Sequence, residues 1–262
     1  MDGNSPVMDP DNSMTQTGPL LLCEAVKQVL VGLDDPRRQE EAQRREEWER
    51  KREERLQKEI AEQEAKHLEE RRERFWDTRG RRYAACTLDN FQATTPAHQA
   101  VLAAVRRYAA SLKENIKAGV NLILIGGPGT GKDHLLSALF DPTISMGARV
   151  AWTSGAELFR ELRDMISVKG PEGRVIEGYQ EPHVFAISDP CPAVGSLTPY
   201  QSDALYQILD HRYNRCKVVW ATINAQNRAD ADERIGAKLV DRLVDGAVSL
   251  ACDWPSYRKA RD

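Results

Sequence analysis

The 262-residue sequence has little with which to build a disulfide framework or a zinc site, because its five cysteines are scattered, odd in number and never spaced C-x-x-C. That usage fits a reducing compartment, and the cytoplasm is the expected location. Long hydrophobic runs are also missing: the apolar stretch from Leu20 to Leu33 is interrupted by Glu24 and Lys27, follows an acidic leader and is too short to span a bilayer. No membrane or secretion signal is read from it. An excess of positive charge is absent as well, with 37 Lys+Arg against 40 Asp+Glu and a formal net charge of -3. Sixteen basic and sixteen acidic residues fall between Asp34 and Arg82 and twenty of each from Tyr83 onward, so the whole imbalance sits in the first 33 residues. A neutral chain does not announce a nucleic-acid partner as a strongly basic one does, and any such contact has to come from a local stripe.

The chain divides by composition into three stretches. Residues 1–19 are rich in Asp, Asn, Ser, Thr, Gly and Pro, too poor in apolar surface to offset the entropy of ordering, and are expected to be a disordered leader. In residues 20–82, Leu22, Val26, Val29, Leu30 and Leu33 share roughly one face of a short helix, which suits packing on the main domain or docking on a partner. The Glu/Arg-rich remainder carries acid-first i,i+4 pairs such as Glu41–Arg45, Glu47–Lys51, Glu54–Lys58 and Glu70–Arg74, each adding roughly 0.2–0.5 kcal/mol to a helix. Trp48, Leu56, Ile60, Leu68 and Phe75 form only a thin stripe, so a long solvated helical arm is expected.

From Tyr83 to Asp262 apolar runs alternate with helical patterns. Asn121–Ile125, Ala148–Thr153, His183–Ser188, Lys217–Ile223 and Ala247–Ala251 read as buried strands. His98–Ala118, Lys132–Phe140, Ala156–Ile166, Pro199–Tyr213 and Asp232–Leu243 read as helices, and this alternation predicts an α/β core with a parallel sheet sandwiched by helices.

After the first strand and at the start of a helix stands Gly126-Gly-Pro128-Gly-Thr130-Gly-Lys132-Asp133, the context a phosphate-binding P-loop needs. Glycines let successive backbone N–H groups point at phosphate oxygens, and Lys132 reaches the β and γ phosphates of a nucleotide. Gly126, Gly127, Pro128, Gly129, Thr130, Gly131, Lys132, Asp133 and His134 are therefore the candidate ATP-binding residues. Asp133 stands where Ser or Thr would place a hydroxyl on Mg²⁺; it either ligates the metal itself or caps the helix.

The third strand ends in Asp189, read as a Walker B position that would hold Mg²⁺, with a turn-forming Asp-Pro after the strand as the lesser alternative. Pro190 follows where many such ATPases carry a water-activating Glu, and loss of a general base costs about 10²- to 10⁴-fold in rate, so slow hydrolysis or another group in that role is expected. The fourth strand ends at Asn224, readable as a γ-phosphate sensor or a strand-end turn residue, and Arg242 in the helix before the last strand as an arginine finger or a surface residue. Because one strand intervenes between the P-loop strand and the Asp189 strand, the expected class is the additional-strand P-loop ATPases.

With these residues in hand, Tyr83 to Asp262 resembles the AAA+ ATPase core of the DnaC-type helicase loaders and the IstB-type transposition ATPases. Beyond the P-loop, the likeness is carried by Thr87-Leu-Asp-Asn-Phe91, Gly129-Thr-Gly-Lys-Asp-His-Leu135, Leu205-Tyr-Gln-Ile-Leu-Asp-His-Arg212, Val240-Asp-Arg242-Leu and Asp253-Trp-Pro-Ser-Tyr-Arg258. The resemblance implies that Arg242 acts in trans on a neighbouring subunit and that Arg258 is a sensor-2-like phosphate contact. It further implies no C-terminal lid, a weak ATPase converting ATP and water to ADP and phosphate, and assembly into a homo-oligomer when ATP is bound. Residues 20–82 would then engage a replicative DNA helicase or a transposase. Single-stranded DNA is an implied partner, with Lys113, Lys117, Arg149, Arg160, Arg163 and Lys169 as contacts or as plain solubilising charges.

Overall fold

A computed structural model describes residues 36–168, 170–192 and 194–258. The expected leader, the Leu20–Leu33 helix and Lys169 lie outside the described residues. The chain forms two compact units, residues 1–65 and residues 66–262.

In the first unit the described residues belong to α1 (Pro36–Arg79), which continues into the second. Here Trp48, Leu56 and Ile60 are exposed, as the thin apolar stripe predicts. Ion pairs line the helix, but their order is mixed. Glu47–Lys51 forms acid-first, whereas Arg45, Arg50 and Lys58 pair forward with Glu49, Glu54 and Glu62. At this exposure such pairs contribute a few tenths of a kcal/mol at most, so helix propensity and length carry the segment.

In the second unit the end of α1 is no longer solvated on all sides. Trp76 is buried, its indole N–H donates to Asp141 Oδ1 at 2.9 Å, and Arg72 pairs with the other oxygen of that carboxylate at 2.6 Å. Phe75 meets Phe140 with ring centroids 5.0 Å apart, and Phe140 in turn meets Trp152 at 5.0 Å. Aromatic burial therefore starts before Tyr83, where the sequence pattern changes.

All five expected strands form: β1 (Leu122–Gly126), β2 (Val150–Ser154), β3 (Val184–Ser188), β4 (Val218–Ile223) and β5 (Val248–Cys252). They make a parallel sheet in the order β2-β3-β4-β1-β5, with β4 between the P-loop strand and the Asp189 strand. Strands β3 and β4 are buried throughout, which explains their unbroken apolar spelling. Two apolar clusters cover the faces of the sheet, one around Leu158, Phe185, Leu205 and Val240, the other around Trp76, Leu136, Phe140 and Trp220.

The helices depart from the expected boundaries for local reasons. His98–Ala118 is two helices, α2 (Pro96–Ala110) and α3 (Leu112–Ala118), parted at Ser111, whose backbone leaves the helical region. Lys132–Phe140 stops early as α4 (Lys132–Ser137), and α5 (Phe140–Ser145) restarts beyond it. Pro142 lacks an N–H and its ring would meet the Ala138 carbonyl four residues back, so the break falls there. α6 (Gly155–Ser167) and α8 (Pro199–Asn214) form as expected behind Ser154 and Thr198 capping boxes, while α7 (Glu172–Gln180) was not foreseen. Asp232–Leu243 is divided between α9 (Arg228–Ile235) and α10 (Ala237–Val244) by Gly236 at φ 99°. Among the described residues no helix follows β5.

Arg212 is fully buried and donates to five backbone carbonyls: Nη1 to Tyr179, Gln180 and Pro182, Nη2 to His183 and Val218, at 2.6–3.1 Å. Burial pushes its pKa down to about 9, which still leaves it charged at neutral pH. It ties the α7–β3 connection to the start of β4.

Replacing Trp76 by Ala removes a buried indole and one of the two hydrogen bonds to the Asp141 carboxylate, the Arg72 pair remaining. The expected cost is about 3–5 kcal/mol, the range for aromatic deletions in a core, measured by denaturant unfolding.

Candidate nucleotide-binding site

The C-terminal ends of β1, β3 and β4 open onto a cavity of about 770 Å³, within the size range of small-molecule sites. Its floor is the loop from β1 into α4. Gly129 and Gly131 lie at φ 80° and 86°, a left-handed backbone that only glycine adopts without strain. A Cβ on Gly131 would stand 2.8 Å from a Phe91 ring carbon, and one on Gly129 would collide with the Ser256 hydroxyl. The loop is thus held closed from both sides by chain that lies far away in sequence.

Lys132 is buried, and its ammonium donates to the Gly126 carbonyl at 2.8 Å, the Gly127 carbonyl at 2.7 Å and Asn224 Oδ1 at 2.8 Å. Burial pushes its pKa down, and the neighbouring Asp133 and Asp189 carboxylates push it back up. Asn224 also donates from Nδ2 to Asp189 Oδ2, while its backbone N–H reaches Asp189 Oδ1 at 3.4 Å. One amide therefore bridges the P-loop lysine and the β3 carboxylate. Asp189 sits at φ 47° with its own N–H on the Thr222 carbonyl at 2.8 Å, a left-handed turn that Asp tolerates better than most residues. The turn and the inward carboxylate are both present.

Asp133 does not cap α4: Gly131 is the N-cap and no side chain bonds there. Its Oδ1 instead accepts from Thr222 Oγ1 at 2.7 Å, tying the first turn of α4 to β4. His134 lines the cavity, with ring Nε2 2.9 Å from the Thr87 carbonyl. Pro190 is buried against Gly155 and does not line the cavity, so Asp133 and Asp189 are the carboxylates among its lining residues.

The segment after β5 straps the P-loop. Trp254 Nε1 donates to the Thr130 carbonyl and Tyr257 N to the Gly129 carbonyl, both at 2.9 Å, and this places Arg258 on the cavity wall. Arg242 stands apart. Its guanidinium bonds Asp210 and the Tyr206 hydroxyl on α8 and lies 4.6 Å from the Tyr206 ring centroid, outside the residues that line the cavity. Lys113 and Lys117 on α3, Arg149 before β2 and Arg160 and Arg163 on α6 are all exposed on separate elements.

Several lining residues were not singled out from sequence: Arg82, Tyr83, Asn90, Gln92, Ser154 and Ser188. Ser154 and Ser188 end β2 and β3, and strand ends at this edge of a parallel sheet are where ligands bind, a rule that could have found them. Asn90 folds the Thr87–Phe91 loop, with Thr87 N donating to its Oδ1 at 2.9 Å and its own N to Thr87 Oγ1 at 3.1 Å. No short-range signal marked Arg82 or Tyr83.

The residues present fit a nucleoside triphosphate: curled backbone N–H groups at a helix start, one lysine, and Arg82 and Arg258 on the wall. Among the described residues no group of three or more His, Cys, Asp and Glu could hold a metal ion by itself. Mg²⁺ in nucleotide sites needs only one or two carboxylates beside phosphate oxygens, a pattern that Asp133 and Asp189 can meet. No helix among the described residues is long and apolar enough to cross a membrane.

Sheet order, P-loop and strand-end residues together define an AAA+ P-loop protein of the additional-strand type. The chain belongs to the IstB-like ATP binding protein family, whose model matches residues 37–262. It is 26% identical over 182 residues to the replicative helicase loader DnaC of Buchnera aphidicola subsp. Schizaphis graminum, covering 68% of this chain and 71% of that one. A Mycobacterium tuberculosis protein described as an ATP-binding protein in an insertion sequence is 29% identical over 181 residues, covering 67% and 69%. Among solved structures, a DnaC helicase loader superposes with a TM-score of 0.59 at 22% identity, covering 66% of this chain and 99% of that one, which supports the fold.

Gly131→Ala is expected to destabilise the chain by about 1–2 kcal/mol from the left-handed backbone alone, and by more from the Phe91 contact. Thermal unfolding measures the loss. Adding Phe91→Ala should relieve only the steric part.

Proposed function

We propose that this chain is a nucleotide-dependent switch: it binds ATP with Mg²⁺, hydrolyses it slowly, and acts on a replicative helicase or a transposase. The bridge from Lys132 through Asn224 to Asp189 supports the first half most directly, because it links the phosphate-binding lysine to the metal-side carboxylate through one amide. In this reading the P-loop amides and Lys132 hold the phosphates, and Asp189 with Asp133 holds Mg²⁺. Asn224 faces the γ-phosphate, and Arg258 neutralises charge from the cavity wall. When bound, Mg²⁺ would supply charge neutralisation at the phosphates.

Arg242 is assigned to the neighbouring subunit's nucleotide, which makes an ATP-bound homo-oligomer part of the proposal. The DnaC relatives are replicative helicase loaders by name and the mycobacterial relative belongs to an insertion sequence, so helicase and transposase are the partner classes. Residues 20–82 are the proposed docking region beside an ATP-binding core from 83 to 262, with the exposed lysines and arginines as candidate single-strand DNA contacts. The cytoplasm is the proposed location. A second reading, a non-hydrolysing adaptor with a degenerate nucleotide site that works through its helical arm, is favoured by Pro190, which is buried away from the cavity where a catalytic Glu would project.

Titration of the intact chain with a fluorescent ATP analogue should show Mg²⁺-dependent binding that Lys132→Ala abolishes; no binding to the intact chain at millimolar nucleotide would leave only the adaptor. Where turnover is measured, Arg242→Ala should lower it by about 10³-fold or more, the order an arginine finger contributes, with nucleotide binding retained.

A further inference from the structure

Asn224 makes its side-chain bonds forward, to Lys132 and Asp189, so the backbone behind it has to be fixed by something else. That something is Arg234, on the exit side of β4. Its Nη1 donates to the Asn224 carbonyl and its Nη2 to the Pro192 carbonyl at 2.7 Å, while its own carbonyl accepts from Leu197 N at 2.9 Å. Pro192 and Leu197 belong to the connection leaving β3 just after Asp189; Asn224 begins the connection leaving β4. A single half-buried residue thus joins the chain that follows the metal-side carboxylate to the chain that carries the proposed sensor.

The choice of arginine has physical content. A planar fork with donors at fixed spacing holds two carbonyls on two separate connections in one geometry, where a rotating ammonium or a bridging water would fix their spacing less firmly. The two connections are joined twice, directly between Asn224 and the Asp189 carboxylate on the cavity side and from Asn224 to Pro192 through Arg234. The connection after β3 needs such an anchor: it carries Pro190 and Pro192, which donate no backbone hydrogen bonds, and Asp189 starts it in a left-handed turn.

We propose that Arg234 is a positioning residue that sets Asn224 against Asp189 and Lys132 and thereby lets the site distinguish a triphosphate from a diphosphate. The inference rests on the reading of Asn224 as the group that faces the γ-phosphate. Arg234 touches no nucleotide in this scheme. Its removal lets the Asn224 amide drift, and a lost hydrogen bond to a charged group weakens binding by about 10-fold or more.

The test is the ratio of affinities for AMPPNP and ADP, each with Mg²⁺, on the full chain and on Arg234→Met, Arg234→Lys, Asn224→Ala and the Arg234→Met/Asn224→Ala pair, with thermal unfolding alongside. Arg234→Met should lower the ratio by about 10-fold or more while ADP affinity holds. The double variant should be no worse than Asn224→Ala. Arg234→Lys, which keeps the charge and one anchor, should fall between, and it carries the test if the methionine variant does not fold. Loss of discrimination in Asn224→Ala but not in the Arg234 variants would overturn the positioning role and leave the sensor reading standing. An equal fall in both affinities, tracking a lower melting temperature, would reduce Arg234 to a structural tie and overturn it as well. Unchanged discrimination in Asn224→Ala would remove the sensor reading and this inference together.

Discussion

The bridge from Lys132 through Asn224 to Asp189 is the interaction on which the site is organised, and it exists because of strand order. Parallel strands end on one edge of their sheet, so residues that close different strands meet there without any closeness in sequence. With β4 between β1 and β3, the residue ending β4 is the one able to touch both the P-loop lysine and the β3 carboxylate. Thr222, two residues earlier on the same strand, repeats the pattern with its carbonyl on Asp189 N and its hydroxyl on Asp133.

Around that contact the fold supplies restraint from three distant segments. The Thr87–Phe91 loop closes over α4, the Trp254–Arg258 strap holds the P-loop carbonyls, and Arg234 anchors the connections behind the carboxylate and the amide. Each uses charge or backbone hydrogen bonds, and those of Trp254 and Arg234 lie at half-buried positions, where such bonds hold geometry better than exposed ion pairs do. The ion pairs along α1 show the contrast: they are numerous, exposed and mixed in order, and they fix little beyond the helix itself.

Arg242 lies outside the residues that line the cavity of its own chain. Its guanidinium is held by Asp210 and Tyr206 on α8, and service to a neighbouring subunit belongs to the proposed reading alone. The Asp-Arg motif identified the residue, but a motif cannot say whose nucleotide it meets. That assignment depends on a second copy of the chain.

The sequence by itself determined the five strands, their parallel arrangement, the P-loop and the strand-end residues Asp189 and Asn224, because apolar runs of strand length and a glycine-rich turn before a helix are local signals. It also marked the closing Ser-Tyr-Arg motif, though without the strap that motif builds. Helix boundaries were less legible: Pro142 and Gly236 break helices that apolar periodicity alone would continue, since periodicity is blind to a missing N–H or a positive φ. Only the tertiary structure decided that Asp133 binds Thr222 and caps nothing, that Pro190 turns away from the cavity, that Arg82 and Tyr83 line it, and that Trp76 closes the aromatic cluster. These are contacts between segments far apart in the chain, set by how helices stack on a twisted sheet, and no window of sequence contains both partners.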